Sequence, residues 1–448
     1  MNALDKEILR LVLPSILANL TVPLVGMVDL AVAGHLPGGA AAFIGGISVG
    51  GLLFNLLYWN FFFLRAGTGG LTAQAYGRGD FRDCVRILVR GAGLSLLMAL
   101  VILLLQQPFL LLAGKIVESS PQVWGLALRY FKIRVWAAPA TLSLMALRGW
   151  FVGMQDSVSS MCTDLVVNAV NIAASIVLSL GIGAWPGLGF DGIAFGTVAA
   201  QYTGLAFAAL VCTFKYGRIF AGADLKGTFS GMRHFISMNA DLMMRSLSFT
   251  AIYMGYTIIA ARFGDTLLAC SAIMMNILMV FSYFTDGFAY AGEALTGRFI
   301  GARDERMTRR TVRQVFVWSL GLAVAFIGIY RLGGGPLLRL MTSDAGVIEA
   351  CRPFLPWLLL MPPLGCAAFA WDGIYLGATA SRGIRNAMIG ALASFLLVWF
   401  AGDGLMHPQG PAALHLLLGA YFAHLLFRTV YLTAVYHKSI LKPHFTLC

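Results

Sequence analysis

Charge is what this sequence has least of. Only 12% of its 448 residues are Asp, Glu, Lys or Arg, about half the roughly 25% usual in a soluble domain. That scarcity excludes an ordinary solvated surface over most of the chain. Catalytic and metal-binding signatures are missing too. The seven cysteines, Cys84, Cys162, Cys212, Cys270, Cys351, Cys366 and Cys448, form no CxxC or Cys/His metal spacing, and as thiols within or beside apolar runs they behave as small apolar groups. No HExxH or GxxxxGK[ST] occurs, so a membrane enzyme and an ATP-driven pump both lose their simplest support. No catalytic residue, metal site, cofactor or disulfide is assigned. Low-complexity tracts and soluble-domain segments are also absent.

What remains is hydrophobic: 59% of residues, with a mean hydropathy of +0.79. Apolar runs of about 20 residues, enough to cross some 30 Å of hydrocarbon, are centred near Leu20, Leu56, Leu100, Ala137, Ile172, Thr203, Ile252, Val280, Leu322, Leu360, Phe395 and Leu425. This predicts twelve transmembrane helices. The net charge of +12 does not point to nucleic acid, because the basic residues are divided among alternate short connectors. Arg78, Arg82 and Arg86 follow the second run, Lys215 to Arg233 the sixth, Arg298 to Arg313 the eighth, Arg382 and Arg385 the tenth, and Lys438 and Lys442 the last. The opposite connectors are nearly neutral: Pro37-Gly38-Gly39 is uncharged, Lys115 offsets Glu118, Arg262 offsets Asp265, and Asp403 stands with His407. The excess of Lys and Arg on cytoplasmic loops then places both termini in the cytoplasm. With no basic n-region and small-residue cleavage site, the first run is expected to remain as a signal anchor.

The two halves also resemble each other. Leu71, Thr72, Gly77, Asp80, Arg82 and Arg86 recur as Leu295, Thr296, Gly301, Asp304, Arg306 and Arg310, and Gly149, Gly153 and Ser157 as Gly373, Gly377 and Ser381, all at an offset of 224. Six runs per half is an even number, so both halves begin on one side and the repeat is parallel. Such a repeat has its pseudo-two-fold axis along the membrane normal, with a cavity between its lobes. The expected organisation is a lobe over 1–214, a cytoplasmic connector over 215–232 and a second lobe over 233–448.

Chemistry in such a chain falls to ionisable groups within the bilayer, which are costly and commonly functional. Asp29 ends the uncharged run from Leu11 to Val28 with no basic residue at i±3 or i±4. A desolvated carboxylate there is able to take up a proton, as a coupling site requires; a purely structural role in bundle hydrogen bonding is the alternative. Asp164, Asn168, Asn171, Ser175 and Ser179 repeat at helical spacing on one face, as do Thr197 and Gln201, and Asn55 lies on the second run. Asn168, Asn171 and Ser175 are placed with Asp29 at the ion site, and Asn55, Asp164, Thr197 and Gln201 along the substrate cavity; interhelical hydrogen bonding is the competing role. Pro14 and Pro23 make the first helix bent or bendable, though membrane helices also tolerate prolines statically. In the second half Asp241 and Arg245 are four apart and can pair as a structural couple, with Asp286 and Asp372 as further polar positions. Met275 and Tyr283 belong to a Met- and aromatic-rich stretch suited either to an adaptable cavity wall or to packing. Position 253, the match to Asp29, is Tyr253, so the repeat doubles the scaffold without doubling the site.

Leu13-Pro14, the segment Val28-Asp29-Leu-Ala-Val-Ala-Gly-His-Leu36, Asp286-Gly-Phe-Ala289, Asp372-Gly-Ile-Tyr-Leu-Gly377, Arg382 and Arg385-Asn386 resemble the multidrug and toxic compound extrusion (MATE) family, most closely its DNA-damage-inducible-F branch. The resemblance spans nearly the whole chain. It implies an all-α integral membrane protein, with two six-helix lobes forming a V around a central cavity in the bacterial inner membrane. It implies export of organic, often cationic, compounds against protons or sodium, and it gives the carboxylate matching Asp29 a central part in coupling and the proline matching Pro14 a part in bending. One departure stands out: the acidic residue many relatives carry four positions after the asparagine matching Asn171 is here Ser175. This favours proton coupling through Asp29 alone, in a transporter acting as a monomer on small organic substrates in the lipid bilayer. A lipid-linked sugar flippase of the wider superfamily is the alternative, with Arg65, Arg134 and Arg245 as candidate cations for a diphosphate, and sodium-coupled efflux is another.

Overall fold

The computed structural model describes residues 3–37, 39–117, 119–222, 227–228 and 230–445; Gly38, Glu118, Lys226 and Cys448 lie outside them. Among the described residues the chain is helical, with only an isolated bridge between Ile182 and Trp185 in place of any strand. In chain order the long helical stretches are α1 (Ala3–His35), α2 (Ala40–Gly77), α3 (Phe81–Ile116), α4 (Pro121–Gly153), α5 (Ser157–Leu180) and α6 (Phe190–Ala221). They continue as α7 (Met232–Ala260), α8 (Asp265–Gly301), α9 (Glu305–Met341), α10 (Ala345–Gly377), α11 (Ser381–Met406) and α12 (Pro411–Phe445). Single 3-10 turns interrupt α2 at Trp59–Phe61, α4 at Val135–Ala137 and α10 at Arg352–Phe354.

Eleven of these stretches are long and apolar enough to cross a membrane. The twelfth, α7, is long enough at 29 residues, but Arg233, His234, Asn239, Asp241 and Arg245 lower its hydropathy. Outward-facing apolar side chains mark the lipid-facing surface: Phe214, Leu332, Leu340 and Leu405 are 84, 85, 80 and 84% exposed, and in water such a surface would drive association.

The helices group into two compact units, Leu17–Arg233 and Met1–Ile16 with His234–Cys448. Residues 1–16, which the sequence places with the first lobe, thus pack with the second. The attachment is both apolar and polar: Leu4, Ile8, Leu11 and Val12 are buried and Gly287 lies against Val12 and Ile16, while Asp5 accepts hydrogen bonds from Gln314 and from Trp318 Nε1 (3.2 Å) and Glu7 pairs with Arg298 at 3.3 Å. The division falls within α1 two residues after Pro14, and α1 stays helical through both Pro14 and Pro23.

The duplication extends to backbone detail. Asp80 caps α3 by accepting from Asp83 N (3.0 Å), and Asp304 caps α9 by accepting from Met307 N (2.8 Å), each side chain satisfying a donor that the first helical turn leaves unpaired. Positive φ recurs at Gly79 and Arg303 (71° and 56°) and at Gln155 and Thr379 (62° and 50°), again 224 apart. Gly149 lies against the carbonyl of Arg65, and Gly373 against that of Ala289, so a Cβ at either position would strike backbone. These matched glycines let α2 and α4 in one unit, and α8 and α10 in the other, approach to backbone contact.

Candidate functional site

Four helices of the unit Leu17–Arg233 build the site. α5 and α6 are drawn together by glycine: a Cβ at Gly196 would meet the backbone nitrogen of Ser175 at 2.6 Å and its Oγ at 2.8 Å. The buried face of α5 therefore reads Thr163, Val167, Asn171, Ser175, Ser179, a stripe facing α6. Asp29 of α1 is 5% exposed and accepts a hydrogen bond from Ser175 Oγ to Oδ1 at 3.0 Å. From α4, the Arg134 guanidinium is the positive charge acting on Asp29. Arg134 is held by donating from Nη1 to Tyr130 Oη (2.8 Å) and by lying 4.6 Å over the Phe54 ring.

The predicted site residues divide. Ser175 meets Asp29 directly. Asn171 turns to α6, where Nδ2 donates to Thr197 Oγ1 at 3.0 Å, and Thr197 donates to Ile193 O at 3.3 Å. Asn168 donates from Nδ2 to Thr21 Oγ1 at 2.6 Å, linking α5 to α1. Asp164 forms an ion pair with Arg148 at 2.6 Å; it lies eleven residues before Ser175 on α5, about 16 Å along the axis, and does not join the Asp29 carboxylate. Asn55 is exposed and Gln201 half-buried. Sequence reasoning missed Tyr130 as the support of Arg134, although the four-residue spacing of Tyr130 and Arg134 on α4 was the available signal.

The second unit holds charge differently. Asp241 and Arg245 do not pair with each other as their spacing suggested. Asp241 accepts from Arg385 Nη1 (2.6 Å) and Ser381 Oγ (2.8 Å) of α11, while Arg245 and Arg428 both bind Asp372 Oδ2, at 2.5 and 2.7 Å. Partners on facing helices displaced the local pair because they reach both carboxylates in the bundle interior. Asp286 is half-buried on α8, one turn from Tyr283. Met275 is buried and Tyr283 half-buried. Nearby Phe281 and Phe284 pack edge-on against Phe326 at 5.2 and 5.1 Å, so packing accounts for much of this stretch.

A doubled scaffold of long apolar helices, with the buried carboxylate of Asp29 meeting Ser175 in its first half, can be compared with known proteins. The MatE family model matches residues 14–177 and 242–401, a segment in each half. The chain belongs to the MATE family. It is 35% identical over 395 residues to the DNA damage-inducible protein F of Escherichia coli, covering 88% of this chain and 85% of that protein. It is 26% identical to a probable multidrug resistance protein NorM of Bradyrhizobium diazoefficiens, over 85 and 81% of the two chains. Among solved structures, the Vibrio cholerae MATE transporter VcmN in its bent form matches with a TM-score of 0.82 over 99% of both chains, at 18% identity, a likeness of fold. As a member of this family the protein is a multi-pass membrane transporter, not an enzyme.

Proposed function

We propose that this MATE transporter exports organic compounds, many of them cationic, by antiport against protons, and that Asp29 is the carboxyl that carries the coupling proton. The single observation behind this reading is the environment of Asp29: buried, met by one hydroxyl from Ser175, and under the charge of Arg134. With a serine rather than a second acid bonded to Asp29, one carboxylate serves both ion and substrate.

Ionised Asp29 offers a negative charge to an organic cation. Protonation removes that charge and turns one carboxyl oxygen into a donor, so the cation loses its partner and the bond to Ser175 is rearranged. α1 carries Asp29 together with Pro14 and Pro23, where helix hydrogen bonds are missing; a changed contact at Asp29 is converted there into a bend. Inward proton movement supplies about 2.3 kcal/mol per charge per 100 mV. The protein works as a monomer in the inner membrane with both termini cytoplasmic, the orientation that the basic connectors favour.

A diphosphate-carrying lipid substrate would need uncommitted cations. Arg134 is engaged by Tyr130 and Arg245 by Asp372, and Arg65 is buried with its guanidinium 4.9 Å over the Phe62 ring, which favours efflux over lipid-linked sugar flipping. Proteoliposomes given a proton gradient or a sodium gradient separately test the assignment. Wild-type export of a cationic dye is expected with the proton gradient alone and is lost in Asp29→Asn. Equal export on sodium, or an unchanged Asp29→Asn rate, overturns it.

A further inference from the structure

Two cysteines that carry no sequence motif meet in the second unit. Cys270, six residues into α8, and Cys351, at the end of the first helical segment of α10, place their sulfurs 3.0 Å apart, and both residues are fully buried. Cys270 Sγ also lies 3.7 Å from Val347 O, so the two segments are packed at this point. Cys84 and Cys366, by contrast, have backbone carbonyls as their sulfur partners, Thr72 O at 3.8 Å and Pro363 O at 3.4 Å.

Position along the helices decides the compartment. α8 runs 31 residues from Cys270 to its basic end at Gly301, about 46 Å at 1.5 Å per residue, more than the thickness of the hydrocarbon core. α10 likewise descends from Cys351 toward the basic connector at Arg382 and Arg385. Both cysteines therefore sit at the end opposite the basic connectors, the side that the orientation proposed above turns to the oxidising compartment.

We propose that Cys270 and Cys351 form a disulfide in the cell, stapling the start of α8 to the start of α10 around α9. The bond is made by exchange with the disulfide of a thiol oxidase outside the cytoplasm. One cysteine thiolate attacks that disulfide to give a mixed disulfide, and the second thiolate displaces it. The two thiols lose two protons, and two electrons pass to the oxidase, which is left as a dithiol. Because the folded protein buries both sulfurs completely, the exchange takes place while the second unit is folding, and the finished bond is shielded from reductant.

Membranes quenched in acid, dissolved in SDS and alkylated with iodoacetamide before digestion test this directly by mass spectrometry. Cys270 and Cys351 are expected in one disulfide-linked peptide pair, unalkylated until the sample is reduced, while Cys84, Cys162 and Cys212 are alkylated from the start. In Cys270→Ser, Cys351 becomes fully alkylated without reduction. Alkylation of Cys270 and Cys351 in unreduced wild type to the extent of Cys212 overturns the proposal, as does a Cys351 that stays blocked in Cys270→Ser.

Discussion

On α5, Asn171 and Ser175 face α6; 224 residues later α11 carries Phe395 and Trp399 at those positions, both buried, with Phe395 close to Gly255 of α7. The same register thus holds a polar site in one half and an aromatic core in the other. Arg148 of α4 pairs with Asp164, whereas its match Asp372 of α10 accepts from Arg245 and Arg428. The buried carboxylates of the two halves consequently do different work. Asp372 is pinned by two guanidinium groups, those of Arg245 and Arg428. Asp29 has one hydroxyl bond, from Ser175, and in the proposed mechanism it is the acid whose protonation changes. A duplicated backbone can therefore carry one adjustable acid and one fixed one, and what separates them is the number of cations in reach.

The most disruptive way to break this comparison is to remove the fixed acid. Asp372→Asn leaves Arg245 and Arg428 without the carboxylate they share, and breaking a buried ion pair from one side costs about 3–5 kcal/mol. Folded yield in detergent and Tm should fall sharply. The shared scaffold is probed next by Gly149→Ala and Gly373→Ala, whose new Cβ atoms would strike the carbonyls of Arg65 and Ala289. Overpacking of this kind costs about 1–3 kcal/mol, and thermal denaturation should show similar losses for the two variants; a large inequality would mean that the halves do not share this crossing.

Within the adjustable site, Ser175→Ala removes the hydroxyl bonded to Asp29. Hydrogen bonds to charged groups contribute about 1.5–3 kcal/mol, so proton-driven dye export should drop about tenfold, with recovery in Ser175→Thr. The smallest effect belongs to a contact found only in the first half. Asp156 accepts from Lys215 (2.7 Å), Tyr216 (2.6 Å) and Ser159 N (3.2 Å), while its match, Ala380, caps nothing. Burial alone would raise the Asp156 pKa, but these bonds outweigh it and hold the carboxyl below its ordinary value. Its stabilising contribution is present above the unfolded pKa of about 3.9 and is lost as pH falls through the lower folded value. Asp156→Asn should lower Tm slightly at neutral pH and flatten its decline in acid.

Much of this was legible in the chain itself. Hydropathy centred an apolar run on each of the twelve helices, because lipid imposes a length and polarity on its spans; α7, with its polar residues, falls short of the other eleven. The offset of 224 paired Asp80 with Asp304 and Gly149 with Gly373, and the structure uses these pairs as matched caps and close helix contacts. Asp29 could be singled out because its isolation from charge along α1 is a local property. Partnership was not local. Helical spacing placed Asn168, Asn171 and Ser175 on one face but did not reveal that Asn168 and Ser175 address α1 while Asn171 addresses α6. Asp241 and Arg245 looked complete as a pair until partners on α10, α11 and α12 were in place. The attachment of residues 1–16 to the second unit uses partners as distant as Gly287, Arg298, Gln314 and Trp318, and the meeting of Cys270 with Cys351 has no motif to announce it.

The division between an adjustable and a fixed carboxylate is tested most directly by measuring Tm and proton-driven export together for Asp29→Asn and Asp372→Asn. The account predicts that Asp29→Asn keeps the wild-type Tm and loses export, while Asp372→Asn loses stability. Wild-type export from Asp29→Asn, or wild-type stability in Asp372→Asn, would contradict it.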